Sequence, residues 1–189
     1  MKTLKVYIAG KVDPNSSLGR HDWRDHFCEE LSQQSGYSIV NLDPTKSHDG
    51  FNLDENNAKL IVGRDCFMIK SADLVIVNLT DDISVGGSQE MLIAKHYRKP
   101  LVGIAPKGGK FNKPEKEILG KVYKDWIHPF VLIPCDRVVV DIDGVIKFIH
   151  EYFPEQNKVK DLSILDDAQT YYEREHHHLD KMLHHEKTN

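Results

Sequence analysis

Two carboxylates, Asp65 and Glu90, stand where they could carry out acid–base or nucleophilic chemistry. Asp65 falls on the apolar stripe of a predicted helix, which should face the core rather than water. Burying an unpaired charge is costly, so such a carboxylate usually has a partner, a raised pKa or a function. The other members of this stripe are Ala58, Ile61, Val62 and Ile69.

Glu90 is predicted in the first turn of the next helix, directly after a Gly-Gly-Ser sequence at residues 86–88. In that position the helix dipole and the free N–H groups would stabilise its anion. Gly86 and Gly87 would let a ligand approach the backbone closely, and Ser88 adds a hydroxyl. A Gly-rich turn followed by a carboxylate is therefore a candidate ligand site.

Structural explanations exist for each of these residues taken alone. Asp65 could pair with Arg64 or Lys59, or lie at the rim of its stripe, and Glu90 could be an ordinary helix-capping residue. Tyr7, near the end of the first predicted strand, could point its phenol into a ligand crevice or simply pack. The two carboxylates together are a stronger indication of function than either one separately.

The elements that must position these residues alternate between apolar strands and amphipathic helices. This pattern predicts a doubly wound, flavodoxin- or Rossmann-like α/β domain with a five-stranded parallel sheet. Such sheets bind ligands at the carboxyl ends of their strands, so the polar loops after strands one to three are the candidate binding loops. The predicted strands are residues 4–9, 37–42, 73–79, 100–105 and, more weakly, 130–140.

The first of these loops begins at Gly10 and contains Lys11 and Arg20, with Arg24 shortly after it. These cations could lie near an anion site or be solvated surface charges. Asp43, after the second strand and before a proline, is predicted to form a turn or cap.

Composition excludes several classes of function. The 189 residues carry 25 Lys and Arg against 29 Asp and Glu, a net charge of −4, so no basic field is available for a nucleic-acid polymer. The first apolar run is too short for a signal peptide or a membrane span, which predicts a cytoplasmic protein. Three cysteines without CxxC spacing predict reduced thiols. We expect no metal and no other cofactor, because no P-loop, GxGxxG or HExxH motif is present.

Residues 1–155 are predicted to form the main domain and residues 156–189 a C-terminal helical extension. The extension carries an apolar stripe that could pack on its own domain or on a partner subunit. Asp180 and His184 have metal-ligand spacing, although a solvated face is the simpler interpretation of this His-rich end. The stripe consists of Leu165, Ala168, Tyr172, Leu179 and Met182.

Three motifs resemble the nucleoside 2-deoxyribosyltransferase family and the related 2'-deoxynucleoside 5'-phosphate N-glycosidases. They are YIAG at residues 7–10, Asp65 shortly before the strand ADLVIVNL, and SVGGSQEMLIAKHYRKPLVGI at residues 84–104. The resemblance spans roughly residues 4–105, and its most specific part is the small-residue loop, the Glu, the E-x-x-x-A helix and the following KP-apolar strand.

The resemblance implies a role for each matching position. Glu90 matches the nucleophile that attacks C1' of the sugar, Asp65 the acid that protonates or holds the leaving base, and Tyr7 the phenol that orients the nucleophile. An anionic carboxylate beside one with a raised pKa suits retaining glycosyl transfer. The resemblance also implies a homo-oligomer, with a polar residue donated to each site by the neighbouring subunit; Asn112, Lys113 and His128 are candidates.

One position departs from the transferases that accept free nucleosides. Six residues before the nucleophile they usually have Asp, whereas this sequence has Ser84, as expected if a 5'-phosphate must be accommodated. Ser84, Gly86 and Ser88 could then bind the phosphate, with Lys11 or Arg20 closing over it. Alternatively, Asp81 or Asp82 could replace the missing carboxylate.

The sequence therefore predicts an enzyme that acts on the N-glycosidic bond of a nucleoside or nucleoside 5'-monophosphate, by transfer to another base or by hydrolysis. A non-catalytic nucleotide-binding or sensor domain is the alternative, because doubly wound folds often bind nucleotides without changing them.

Overall fold

The computed structural model describes residues 2–10, 23–47, 54, 56–155 and 158–183, which form a parallel sheet of five strands with helices on both faces. The strand order in this sheet is β2-β1-β3-β4-β7, and all its pairings are parallel. The predicted doubly wound fold is therefore confirmed. The strands are β1 (Thr3–Ala9), β2 (Ser38–Asn41), β3 (Leu74–Asn78), β4 (Leu101–Ile104), β5 (Asn112–Ile118), β6 (Lys121–Ile127) and β7 (Arg137–Val139).

Two hydrophobic clusters cover the two faces of the sheet. Helices α1 and α5 pack on one face and α2, α3 and α4 on the other. Within the described part of the chain, no helix combines the length and the apolar character needed to cross a membrane. The helices are α1 (Trp23–Ser35), α2 (Ala58–Ser71), α3 (Val85–His96), α4 (Pro129–Leu132), α5 (Ile142–Glu155) and α6 (Ser163–Glu175).

Strand β1 shows how the sequence divides its side chains between these two faces. Val6 and Ile8 contact the α1/α5 cluster, while Tyr7 and Ala9 contact the opposite cluster. Because successive side chains of a strand point to opposite faces, the phenol of Tyr7 lies on the same side of the sheet as α2 and α3. This placement brings it towards both candidate carboxylates.

The region after β4 differs from the prediction. Residues 130–140 do not form one strand, because Pro129 begins the short helix α4, where its fixed φ and missing N–H are favourable. Strands β5 and β6 form an antiparallel hairpin that the sequence analysis did not predict. Its turn at Leu119 and Gly120 has positive φ at both residues, as hairpin turns of the type I′ class require.

The C-terminal extension is also less regular than predicted. Helix α6 ends at Glu175, and Leu179 and Met182 lie beyond it in 3₁₀ turns (His177–Leu179 and Lys181–Leu183). Its predicted stripe is not buried, since α6 contributes no buried residue. Lys160 ties the start of the extension to the sheet domain: its ammonium donates to the carbonyl oxygens of Ile133 (3.0 Å) and Cys135 (2.6 Å).

A buried ion pair fixes the C-terminal end of α3 at the amino end of the sheet. The fully buried ammonium of Lys95 donates to the carboxylate of Asp136 (2.5 Å) and to the carbonyl of Lys99 (2.9 Å). The same carboxylate oxygen of Asp136 accepts from the backbone N–H of Leu101 (2.7 Å). The helix that carries Glu90 is thus anchored to β4 and to the residue preceding β7.

Candidate active site

Tyr7 and Glu90 meet at the carboxyl end of the sheet. The phenol of Tyr7 donates a hydrogen bond to Oε1 of Glu90 over 2.9 Å. Tyr7 is fully buried and Glu90 is partly buried, so this bond lies at the edge of the packed core. The pairing that the sequence resemblance implied is therefore present as a direct contact between β1 and α3.

Glu90 does not lie in the first turn of its helix, contrary to the prediction. Ser84 is the N-cap and its Oγ accepts from the backbone N–H of Gly87 (3.0 Å). Helix α3 therefore begins at Val85, and the Gly-Gly-Ser sequence forms its first turn instead of preceding it. The capping explanation for Glu90 falls away, because Ser84 performs that function.

Asp65 lies at the border between the packed and the exposed parts of α2. Ile69, towards the end of the helix, is fully buried, whereas Val62 is 56% exposed and Ala58 is exposed. The predicted stripe is thus only half correct, because the first part of the helix does not pack on the sheet. Asp65 itself is partly buried, which agrees with the alternative prediction that it lies at the rim of the stripe.

Arg64 is not the partner of Asp65. Its guanidinium donates to the carbonyl oxygens of Pro44 (2.7 Å) and Lys46, in the segment that follows β2. Among the described residues, no hydrogen bond or ion pair engages the carboxyl group of Asp65. This group is therefore available to a ligand.

Burial controls the protonation of all three site residues. It raises the pKa of Glu90 to about 7, with a further increase from Asp65 and an opposing effect from the Tyr7 hydrogen bond and Arg24. Burial also raises the pKa of Asp65, which Arg64 opposes. Burial and the two carboxylates raise the pKa of Tyr7, so its phenol remains a hydrogen-bond donor.

Arg24 is the main feature that the sequence analysis misplaced. It was considered as a solvated cation or an anion ligand, but it is only 1% exposed. Its guanidinium donates to the carbonyl oxygens of Ile8 (3.0 Å) and Gly10 (3.0 Å) at the end of β1. The spacing of Arg24, Cys28, Leu31 and Ser35 along α1 is the signal that could have found it, because these residues form the buried face of the helix.

Asp43 forms the turn that was predicted for it. Its Oδ1 accepts from the backbone N–H (2.9 Å) and the hydroxyl (2.7 Å) of Thr45. Its second oxygen, Oδ2, is buried and has no hydrogen-bond partner among the described residues. Asp43 raises the pKa of Arg24, against the lowering effect of burial.

The candidate phosphate-binding residues lie at the start of α3. A side chain at Gly86 would place its Cβ 3.8 Å from Oε1 of Glu90, so the glycine keeps the approach to the carboxylate open. A Cβ at Gly87 would come within 3.1 Å of Ile83 and 3.3 Å of the Ser84 hydroxyl. The hydroxyl of Ser88 donates to the carbonyl of Val85 (2.7 Å) within the helix, which competes with donation to a ligand.

Gly10 is buried at the end of β1, where a Cβ would meet Asn78 at 3.3 Å and the Trp23 ring at 3.4 Å. Close packing therefore explains why a glycine occupies position 10. Lys11 and Arg20 lie outside the described residues, as does His184 of the predicted metal-ligand pair. Among the residues that are described, no group of three or more His, Cys, Asp or Glu side chains is arranged to hold a metal ion.

Three further candidates, Asp82, Asn112 and His128, make contacts within their own chain. Asp82 forms an ion pair with Lys110 (2.7 Å), and its Oδ1 also accepts from the backbone N–H of Ile83 (2.8 Å). The buried Asn112 donates to the carbonyl of Ala105 (2.9 Å) in its own chain, so its amide is not directed to a neighbouring subunit. The ring of His128 packs among aromatic side chains, with the Trp126 ring centroid 5.5 Å away.

Solved structures with a similar fold support the fold assignment. A conserved protein from Enterococcus faecalis V583 has a TM-score of 0.57 and 16% sequence identity, over 79% of this chain and 98% of that one. The 2-desoxiribosyltransferase from Leishmania mexicana has a TM-score of 0.52 and 19% identity, over 80% and 99% of the two chains. No model of a known protein family matches the sequence. A search of curated proteins also finds no match.

The resemblance predicted from the motifs is thus confirmed at the level of the fold. The chain shares its fold with the Leishmania mexicana 2-desoxiribosyltransferase, and it places a carboxylate–phenol pair and a second carboxyl group at the carboxyl end of the sheet.

Proposed function

We propose that this protein cleaves the N-glycosidic bond of a nucleoside or nucleoside 5'-monophosphate through a covalent glycosyl intermediate on Glu90. The observation that carries the proposal is the partly buried hydrogen bond from Tyr7 to Glu90, with Asp65 close enough to raise the pKa of both groups. A non-catalytic binding domain does not need two carboxyl groups held in this way.

In the first step a carboxylate oxygen of Glu90 attacks C1' of the sugar. Because Tyr7 donates to Oε1, we assign the attack to Oε2. The electron pair of the C1'–N bond leaves with the base, and Asp65 supplies the proton that neutralises it. Burial shifts the pKa of Asp65 upwards, which is the direction that a general acid requires.

In the second step the glycosyl ester of Glu90 is cleaved. A water molecule or a second base attacks C1', the C1'–Oε2 bond breaks, and Glu90 regains its carboxylate. Asp65, now ionised, accepts the proton from the attacking nucleophile. Two inversions at C1' give overall retention, as in retaining glycosidases.

The start of α3 supports a 5'-monophosphate as substrate. Ser84 carries no charge, and the exposed Gly86 leaves space beside the nucleophile. The ion pair with Lys110 offsets the charge of Asp82, one of the two carboxylates that could replace an Asp at residue 84. A phosphate near Ser84 would meet fewer repulsive charges than it would in a site with Asp at this position.

The test is the release of free base, measured by chromatography, from a panel of nucleosides and 5'-monophosphates with and without a second base. Release from monophosphates without an acceptor identifies an N-glycosidase, and exchange that requires an acceptor identifies a transferase. Intact-mass spectrometry of the acid-quenched protein should detect the glycosyl adduct on the wild type but not on Glu90→Gln.

Glu30→Gln is the matched control, because Glu30 is an exposed glutamate on α1 whose carboxylate accepts a hydrogen bond from the Gln34 side chain (3.0 Å), and an amide oxygen can still accept that bond. It should leave base release unchanged, whereas Glu90→Gln should abolish it. Undiminished release by Glu90→Gln, or binding without release across the whole panel, would contradict the proposal.

We also propose that the protein forms a homo-oligomer. Apolar side chains stay exposed on α2 and at the start of α3 in the isolated chain: Val62 is 56%, Phe67 72% and Val85 83% exposed. Light scattering coupled to gel filtration should give a multiple of the 21.7 kDa chain mass. A monomer at micromolar concentration would contradict this proposal.

A further inference from the structure

Arg24 occupies an unusual place for an arginine. It is almost completely buried at the start of α1, and its guanidinium donates to two carbonyl oxygens at the carboxyl end of β1, those of Ile8 and Gly10. The ring of Trp23 lies beneath it, with the centroid 4.6 Å from Cζ. A buried cation is costly unless hydrogen bonds and opposite charges compensate for it.

Two carboxylates supply compensating charge to Arg24. Asp43, which follows β2, is buried with one oxygen lacking a hydrogen bond among the described residues, and its negative charge acts on Arg24. Glu90 of α3 acts on Arg24 from the candidate active site. Arg24 therefore interacts electrostatically with both a structural carboxylate and the proposed nucleophile.

We infer that Arg24 is a positioning residue, whose buried guanidinium fixes the end of the strand carrying Tyr7 and supplies the positive field that stabilises the Glu90 carboxylate. The inference rests on the proposed role of Glu90 as the nucleophile. Its two hydrogen bonds, to the carbonyl oxygens of Ile8 and Gly10, hold the backbone directly after Tyr7. They therefore restrain the position of the phenol. Arg24 itself needs no contact with the substrate.

The decisive measurement does not depend on turnover. Protein labelled with ¹³C at the glutamate carboxyl carbon is titrated by NMR, and the Glu90 signal is assigned by its absence in Glu90→Gln. Arg24→Gln removes the charge, and the apparent pKa of Glu90 should rise by about one unit. If the protein is active, the rise of kcat/KM with pH should shift to higher pH by the same amount.

Lys160→Met is the matched control, because Lys160 is a partly buried cation that also donates to backbone carbonyl oxygens, among them those of Ile133 and Cys135, and it does not lie on the helix that carries Glu90. It should lower stability without moving the Glu90 titration. Arg24→Lys keeps the charge but not both hydrogen bonds, so it should preserve the titration and lower kcat more than it changes KM.

An unchanged Glu90 titration in folded Arg24→Gln would overturn the inference, even if the enzyme proposal stands. If that variant does not fold, Asp43→Asn replaces it, since the amide can still accept the Thr45 bonds. Removing the competing anion should lower the apparent pKa of Glu90, and an unchanged value would again overturn the inference. A shifted titration in a protein that releases no base would support the inference on Arg24 while refuting the proposed function.

Discussion

Replacing Glu90, the proposed nucleophile, with glutamine should raise the free energy of unfolding, but only above about pH 4.5. Burial raises the pKa of Glu90 from 4.5 to about 7. Below pH 4.5 the carboxyl group is protonated in both the folded and the unfolded states, so it costs no stability. Between pH 4.5 and 7 the unfolded state releases the proton first, and folding becomes progressively less favourable. Above pH 7 the cost is constant, at roughly 3 kcal/mol for this shift.

Glu90→Gln removes this cost, because an amide mimics the protonated acid and can still accept the Tyr7 hydrogen bond. The variant should match the wild type near pH 4.5 and exceed its free energy of unfolding by roughly 3 kcal/mol at pH 8.5, equivalent to an increase in Tm of about 6–12 °C. Urea unfolding at a series of pH values measures the difference, with Glu30→Gln as the control. A difference that does not change with pH, or a wild type that is the more stable at pH 8.5, would refute the reasoning.

Three further variants test other parts of the structure. Tyr7→Phe removes the hydrogen bond that favours ionised Glu90, so the rise of kcat/KM with pH should move to higher pH; an unmoved profile would show that the bond does not control ionisation. Ser84→Asp keeps an N-cap but adds a charge, so turnover of 5'-monophosphates should fall more than turnover of nucleosides, and equal losses would count against a phosphate beside Ser84. Lys95→Met strands Asp136 without its cation and should cost about 3–5 kcal/mol in urea unfolding, whereas a loss below 1 kcal/mol would mean that water reaches the carboxylate.

The central strands β1, β3 and β4 could be predicted because they are buried on both faces and appear in the sequence as short, continuous apolar runs. The hairpin of β5 and β6 could not be recognised in this way, since most of its side chains are exposed and its apolar pattern is weak. Its local signals were Gly120 at the turn and the β-branched and aromatic residues Val122 and Tyr123 that follow. The predicted strand at residues 130–140 is correct only in its last part, which forms β7, because Pro129 starts a helix within an apolar run that suits either structure.

At the candidate site, residue identities were easier to predict than residue environments. The pairing of Tyr7 with Glu90 followed from the resemblance, but the position of Glu90 in the second turn depended on which residue caps the helix. The burial of Arg24 depends on where the start of α1 meets the end of β1, a long-range contact that helical periodicity alone does not define. The partial exposure of α2 depends on how far that helix extends past the sheet, which the sequence pattern does not record.

Helix α3 is held at both ends, by the Ser84 cap beside the candidate site and by the Lys95–Asp136 pair at the other end of the sheet. A single residue inserted between these points would rotate everything on one side of it by about 100°, and either Glu90 would leave Tyr7 or Lys95 would leave Asp136. The turn of the β5–β6 hairpin has no such constraint, since Leu119 is 99% exposed. Changes in chain length should therefore accumulate at the hairpin turn among homologues, while the spacing from residue 84 to residue 95 stays fixed.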